Sequence, residues 1–346
     1  MIDNSVEQSG IEQSGVEQSN DSSHLGQWYV VAFSESLRPG KTLVKTIADQ
    51  EIVFWRTSDD DGLVQAASAV CPHWGGPLGE GIVTDDGRLT CPWHGWQFRN
   101  GYCIDRPRLK LPRYLAHDDG ILLWVRLPWA VEQVTQPPLQ SRPSDAYPFW
   151  FDIHIESDVY HVQENYLDFL HPAEYHQSVF NHCVYLGKEE YNGHRVNLVE
   201  LGYKLPMNRS MITRTRVWAP TAYQIRNEVY DGLAVGMVIE SHITPLSAER
   251  SIIHEVYHVP DNVVPKQGWP MARFFMLKSA RKIREEDALF SARRYQLRKH
   301  GFVDGRGLPV QDKAEPYLHE WSQSEAADTA IARLGKLVGK IAPSHW

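Results

Sequence analysis

The sequence predicts an α+β protein in which a small all-β domain is followed by an antiparallel sheet with helices. Three observations predict it. Between residues 28 and 127, short β-rich runs such as W-Y-V-V-A and I-L-L-W-V-R-L are separated by the turn signals Asp60-Asp61-Gly62, Asp85-Asp86-Gly87 and Asp118-Asp119-Gly120. Between residues 191 and 260, runs such as H-R-V-N-L-V-E-L and R-S-I-I-H-E-V-Y-H-V alternate apolar and polar residues, as a sheet with two unlike faces requires. Helical spacing appears over 160–170 and again over 276–290. A chain of 346 residues, 42% of them hydrophobic, suffices for two such units, each with its own core.

The composition excludes several classes. A formal charge of -8 with both signs mixed gives nucleic acid or an anionic membrane surface nothing to recognise. No apolar run approaches the about 18 residues needed to span a bilayer, and the N-terminus lacks the basic-then-apolar order of a signal peptide. The expected location is therefore cytoplasmic. Four cysteines in so long a chain do not suggest a disulfide framework. Residues 1–24 repeat a polar pentad (V-E-Q-S-G, I-E-Q-S-G, V-E-Q-S-N) that buries too little apolar surface to offset ordering, so a disordered tail is expected there.

The densest chemistry lies in residues 71–96, which open on C-P-H-W-G-G-P-L and close on C-P-W-H-G-W. Each loop offers one thiolate and one imidazole: Cys71 with His73, and Cys91 with His94. In a Rieske [2Fe-2S] centre this interleaving lets one iron take both thiolates and the other both imidazoles. Zinc accepts the same four donors, but zinc knuckles place both cysteines in one loop and both histidines in the other. The cluster therefore ranks above zinc, and zinc above four unliganded residues. Pro and Gly in both loops suit a backbone that must wrap an inorganic centre. Cys103 and Cys183 read as small core residues or free thiols.

Residues 128–148, rich in Pro, Gln and Ser, read as the connection to a second domain. Over 160–170 the spacing predicts a helix that carries Glu164, Asp168 and His171 on one polar stripe. Pro172 should end that helix just after His171, leaving His176 free to meet the same metal. A mononuclear Fe(II) site of two imidazoles and one carboxylate would keep coordination positions open, so a third ligand should follow downstream. In R-K-I-R-E-E-D-A-L-F the apolar stripe Met276, Ala280, Ile283 and Phe290 has its missing step filled by Asp287, while Glu285 and Glu286 point elsewhere. An ionised group on a buried face needs a cation. Asp287 is thus the expected third ligand, with a salt bridge to Arg284 or Arg294 as the plainer alternative. Taken alone, His171 and His176 would more commonly be satisfied core or surface histidines. His154, His161, His182, His242, His254 and His258 read as ordinary sheet or surface residues.

The two Cys/His loops resemble the Rieske domain of ring-hydroxylating, non-heme iron oxygenases. The cytochrome-complex lineage carries an extra cysteine in each loop, where this chain has Gly76 and Trp93. Trp74 and Trp93 also stand where the oxygenases more commonly have Arg and Tyr. Downstream, E-N-Y-L-D-F-L-H-P-A-E-Y-H resembles the family's N-x-x-D-x-x-H-x-x-x-x-H motif, and R-E-E-D-A-L-F its carboxylate segment. The resemblance implies a Rieske domain over 25–130 and a helix-grip catalytic domain over 131–346, with His171, His176 and Asp287 holding the iron. It implies that Asp168 is a bridging carboxylate linking a cluster histidine of one subunit to an iron-bound histidine of the next, in a homotrimer. Lying three residues before His171, Asp168 can accept that ring's N-H.

The implied activity is that of a terminal oxygenase taking O2 as co-substrate and hydroxylating or demethylating a small aromatic or alicyclic molecule. The modest chain length favours a monooxygenase over a dioxygenase. No G-x-G-x-x-G follows a strand, so electrons should come from a separate NAD(P)H-dependent reductase and/or ferredoxin. The competing reading is a Rieske electron-transfer protein whose second domain only binds a partner. A helix is expected near 324–340, with no chemistry in it.

Overall fold

Strands occupy the segments whose side chains alternate, within residues 27–57, 63–127, 136–169, 171–205, 209–221 and 223–299, which the computed structural model describes. The expected tail over 1–24 and the expected helix over 324–340 lie outside the described residues.

The first domain contains β1 (Trp28–Phe33), β2 (Thr42–Ile47), β3 (Gln50–Arg56), β4 (Val64–Ser68), the short strands β5 (Ile82–Val83), β6 (Leu89–Thr90), β7 (Gln97–Arg99) and β8 (Tyr102–Cys103), then β9 (Arg113–Asp118) and β10 (Leu122–Arg126). Among the described residues they form a six-stranded sheet, in the order β1-β10-β9-β4-β3-β2, and a four-stranded sheet β5-β6-β7-β8. Every pairing is antiparallel, as hairpin-connected strands require. The small sheet carries the two Cys/His loops, and Leu78, Leu89 and Phe98 fill the core beneath them.

In the second domain β11 (Ala146–Ile155) precedes two helices, α1 (Val159–Leu167) and α2 (His171–Tyr175). Six long strands follow: β12 (Phe180–Tyr191), β13 (His194–Leu205), β14 (Arg209–Thr221), β15 (Gln224–Gly232), β16 (Val238–Ser247) and β17 (Arg250–Pro260). They form a seven-stranded sheet in the order β11-β17-β16-β15-β14-β13-β12, and α3 (Trp269–Lys299) closes the domain. Helices α1 and α3 cover one face of this sheet, which is the helix-grip arrangement expected. α1 is capped by Asp158, whose carboxylate accepts from the His161 N-H at 2.9 Å. Pro270 occupies the first turn of α3, where its missing N-H costs nothing.

β17 lies between the two domains. Glu255 and Tyr257 face the helices, whereas Val256 joins Trp28, Val30, Phe33, Leu122 and Trp124 of the first domain in one cluster. His254 packs edge-on against Phe33, and His242 of β16 against Trp124. The face of the sheet that alternation marks as polar is therefore covered by the other domain, so His242, His254 and His258 are buried rather than at the surface. Charges on that face are matched across the contact. Arg142 reaches Asp119 at 3.0 Å and Glu240 at 3.0 Å, and Arg226 reaches Glu240 at 3.2 Å.

The helix expected over 160–170 stops earlier than its spacing implied. α1 ends at Leu167, because Asp168 adopts an extended backbone (φ -81°, ψ 102°). His171 opens a separate short helix, and Pro172 falls in its first turn, where proline is tolerated, rather than ending the first helix. Glu164 is consequently not on a common stripe with His171; it pairs with Arg294 at 2.9 Å. Phe290, expected on the buried face of α3, is 39% exposed.

Burial pushes His254 down to about 3 and His258 down to about 4, since neither can be hydrated when charged. The unfolded chain takes up those protons near pH 6.5 and the folded chain does not, so their contribution is complete above pH 6.5 and is lost as pH falls. Glu240 is also held low, at about 2: burial opposes its charge, but His242 and Arg142 outweigh it. Its contribution is intact above about pH 4.5 and is lost between there and about pH 2, so it does not enter the range from pH 6.5 to 5. Urea unfolding should therefore show a loss on the order of 2–4 kcal/mol between pH 6.5 and 5, and His254→Leu should roughly halve that slope. Arg142→Met, which takes the guanidinium from Asp119 and leaves Glu240 with Arg226, should cost about 3 kcal/mol at neutral pH.

Candidate functional site

Two loops of the small sheet close in the same way. The Cys71 N-H donates to the Gly76 carbonyl at 2.9 Å and the Gly75 N-H to the Cys71 carbonyl at 2.9 Å. In the second loop the Cys91 N-H donates to Trp96 at 2.8 Å and the Gly95 N-H to Cys91 at 3.0 Å. Each ring turns on a glycine in the left-handed region, Gly75 at φ +72° and Gly95 at φ +70°. Cys71 and Cys91 are buried, and a Cβ on Gly76 would sit 2.9 Å from the Cys91 sulfur.

The imidazoles of His73 and His94 lie edge to face, 4.9 Å apart, with His73 stacked on Trp96 at 3.8 Å and His94 on Trp93 at 5.5 Å. The indoles of Trp74 and Trp93 are 70% and 58% exposed. The Nδ1 of His73 is buried without a hydrogen-bond partner among the described residues. Burial pushes the Cys71 thiol up, opposed by backbone N-H groups of His73 and Trp74 that favour its thiolate. Two thiols, two imidazoles and an orphaned ring nitrogen fit a cluster bound through sulfur and nitrogen.

The second constellation hangs from the helices. His171, His176 and Asp287 each offer an atom within 4.8 Å of the others. His171 donates from Nδ1 to the Asp168 carbonyl at 2.8 Å, and since a carbonyl only accepts, the proton is on Nδ1. His176 lies between two carboxylates, with Nδ1 2.8 Å from Glu286 and Nε2 2.8 Å from Asp287, so either nitrogen can donate. Both Nε2 atoms lie against Oδ1 of Asp287, at 3.3 Å for His171 and 2.8 Å for His176. Asp287 is 2% exposed, and its other oxygen accepts from Arg284 at 3.0 Å. Burial would raise its pKa, yet the two histidines and the Arg284 charge hold it well below the usual carboxylate range. Two imidazole nitrogens and a carboxylate oxygen converging in an apolar interior are a donor set that fits a metal cation, which would take the place of the ring protons.

All the donors expected of this second set come together, and the salt bridge to Arg284 coexists with them. Two expectations change. Glu286 does not point elsewhere: its longer side chain turns back to the buried His176 ring. The ring of His171 is held by the Asp168 carbonyl and not by its carboxylate, which lies 3.7 Å away and is 34% exposed. Sequence reasoning missed Glu255, which is fully buried and accepts from Ser241 at 2.9 Å, from Arg284 at 3.1 Å and from the Tyr166 hydroxyl. Its signal was available, since alternation in β17 puts it between the inward Ile253 and Tyr257.

Beside the donors, between α3 and the sheet, lies a cavity of about 520 Å³. Phe149, Phe169, Leu201, Ile239, Met276 and Ile283 are among the side chains that line it. Of the aromatic residues in this domain, Phe149, Tyr166, Phe169, Phe180, Tyr203 and Tyr257 line it, whereas Trp150 packs towards Phe33. Cys183 also lines the cavity; its thiol donates to the Phe169 carbonyl and is pushed up to about 12 by burial and the Asp168 charge.

Residues 27–115 match the Rieske [2Fe-2S] domain family, and residues 130–302, half of the chain, match a family described as a domain of unknown function, DUF5914. The oxygenase component of dicamba O-demethylase from Stenotrophomonas maltophilia is 41% identical over 81 residues, 23% of this chain and 23% of that protein. Cholesterol 7-desaturase from Drosophila melanogaster is 27% identical over 169 residues, 44% of this chain and 38% of that protein. The matched segments thus span under two fifths of these relatives' lengths. The crystal structure of dicamba monooxygenase bound to dicamba has the same fold, with a TM-score of 0.70 at 17% identity over 90% of this chain and 99% of that one. Residues 27–115 thus belong to the Rieske [2Fe-2S] domain family and residues 130–302 to the DUF5914 family, the two built together in the fold of dicamba monooxygenase.

Proposed function

We propose that the chain is the terminal oxygenase component of a multi-component system that hydroxylates or demethylates a small organic molecule. The observation that carries this reading is the convergence of His171, His176 and Asp287 beside a largely apolar cavity. In this reading Cys71, His73, Cys91 and His94 hold the [2Fe-2S] cluster within a domain over 25–130, and the three convergent residues hold a mononuclear Fe(II) within 131–346. When bound, the two centres supply one-electron transfer and activation of O2.

The chain's own residues prepare that chemistry. With a metal at Nε2, the Asp168 carbonyl and the Glu286 carboxylate would each accept from Nδ1-H and hold the two rings so that they present Nε2 to it. Arg284 occupies the far oxygen of Asp287 and leaves the near one for the metal. Phe149, Leu201 and Ile239 exclude water from the space where substrate sits. Asp168 has two functions here. Its carbonyl orients His171, and its partly exposed carboxylate is offered to a cluster histidine of a neighbouring subunit, in a homotrimer.

Electrons come from a separate ferredoxin or NAD(P)H-dependent reductase, in keeping with the description of one relative as an oxygenase component. Monooxygenation is favoured over dioxygenation by the O-demethylase relative. No helix among the described residues is long and apolar enough to cross a membrane, and a cytoplasmic location is part of the proposal.

Metal analysis and oxygen uptake test the reading. About three irons per chain, two in the cluster and one mononuclear, with reductase-dependent O2 consumption would support it; two irons and no uptake would make the chain an electron carrier. His171→Ala should keep the visible absorbance of the cluster, lower the iron content by about one per chain and abolish coupled O2 uptake. Gly76→Ala should do the opposite to the absorbance, because its methyl group meets the Cys91 sulfur, and should strip the cluster while the mononuclear iron stays. Asp168→Ala should retain both centres yet slow turnover by about 100-fold or more.

A further inference from the structure

The cavity is informative about what it accepts, in size, charge and hydrogen bonding. At about 30 Å³ per water-sized volume, 520 Å³ holds on the order of 15–20 heavy atoms. That is the bulk of three or four fused rings, or of a branched chain with a similar carbon count. Among the described residues the lining contains one cation besides the two histidines, Arg284, and no lysine. Arg284 is already committed to Glu255 at 3.1 Å and to Asp287 at 3.0 Å, so an incoming carboxylate would be buried without a counter-charge.

The sheet wall carries a polar pair. Thr215 of β14 and Asn227 of β15 are diagonal neighbours across the ladder, Asn227 standing opposite Val217. Both line the cavity, and the Thr215 Oγ1 and Asn227 Oδ1 are buried without hydrogen-bond partners among the described residues. Thr215 itself is 2% exposed. The helices carry His171, His176 and Asp287, so this pair addresses a substrate from the other wall. Orphaned polar atoms in an apolar lining are costly unless a ligand satisfies them. The Thr215 hydroxyl can donate and the Asn227 carbonyl can only accept. A hydroxyl group complements both at once; a ketone would leave Asn227 unsatisfied.

We infer that the substrate is an uncharged, bulky, largely hydrocarbon alcohol, whose hydroxyl group is held by Thr215 and Asn227 while another part of its skeleton faces His171, His176 and Asp287. This rests on the oxygenase reading only for what happens to the molecule after it binds.

Binding to the iron-loaded chain is measured under anaerobic conditions by equilibrium dialysis, with cyclodextrin as a common carrier. The probes are androstanol and farnesol, their parent hydrocarbons androstane and farnesene, and the androstane skeleton bearing a carboxylate. At least one alcohol should bind about tenfold more tightly than its hydrocarbon, the worth of one buried hydrogen bond, and the carboxylate should bind more weakly than both. Thr215→Val and Asn227→Leu should each erase the preference for the alcohol and leave hydrocarbon binding within about twofold. Absence of binding by both alcohols, equal binding of alcohol and hydrocarbon, or tighter binding of the carboxylate would each overturn the inference. The comparison among probes on the unaltered chain stands even where a variant fails to fold. A chain that binds these alcohols but shows no coupled O2 uptake keeps this inference and loses the oxygenase reading, and the reverse result does the opposite.

Discussion

A carboxylate with almost no access to water stays ionised only if cations or strong donors surround it, and Asp287 is the residue on which that constraint falls. Its two oxygens are divided between a pair of imidazoles and a guanidinium. Arg284 in turn needs Glu255, and Glu255 needs Ser241 and Tyr166. The chain of obligations crosses from α3 to β17, β16 and α1, so the helices and the sheet are locked in register by electrostatics as well as by apolar contact. An isolated pair of histidines would need none of this. The network exists because the third donor carries charge into a dry interior.

The other domain is held by a similar device of lower chemical consequence. Arg142 bridges Asp119 and Glu240, which belong to different domains, and Thr244 donates to the Val30 carbonyl. Polar groups that alternation would leave in solvent are instead matched across the contact. The Cys/His loops belong to the separate small sheet, with a core cluster of its own. Their local geometry depends on their own two rings of backbone hydrogen bonds and on glycine.

Much of the site was legible because its chemistry is written in short range. Cys71 with His73 and Cys91 with His94 are neighbours in sequence, so spacing alone sets out a ligand pair in each loop. Asp287 was legible through periodicity, since a charge that completes an apolar stripe is conspicuous. Glu286 was not, because direction around a helix fixes where Cα lies and not how far a glutamate reaches. Nor was the partner of His171: sequence offers the Asp168 carboxylate, but its backbone leaves the helix at that residue and turns the carbonyl to the ring instead. The extent of α1 was misread because a helix-compatible run says nothing of where the next element must begin. The burial of His254 and His258 was illegible because strand alternation marks two faces without saying whether a second domain covers the polar one.

β17 is buried along ten of its eleven residues, one face in each of two cores. It has no solvent side on which substitutions could accumulate harmlessly. A change of volume at Val256 is felt by Trp124 and Phe33 in one domain, while a change at Tyr257 alters the cavity wall in the other. Divergence of substrate preference in such a fold would therefore be slowest along this strand and freest on β13 to β15, where the cavity can be recut without disturbing the seam between domains.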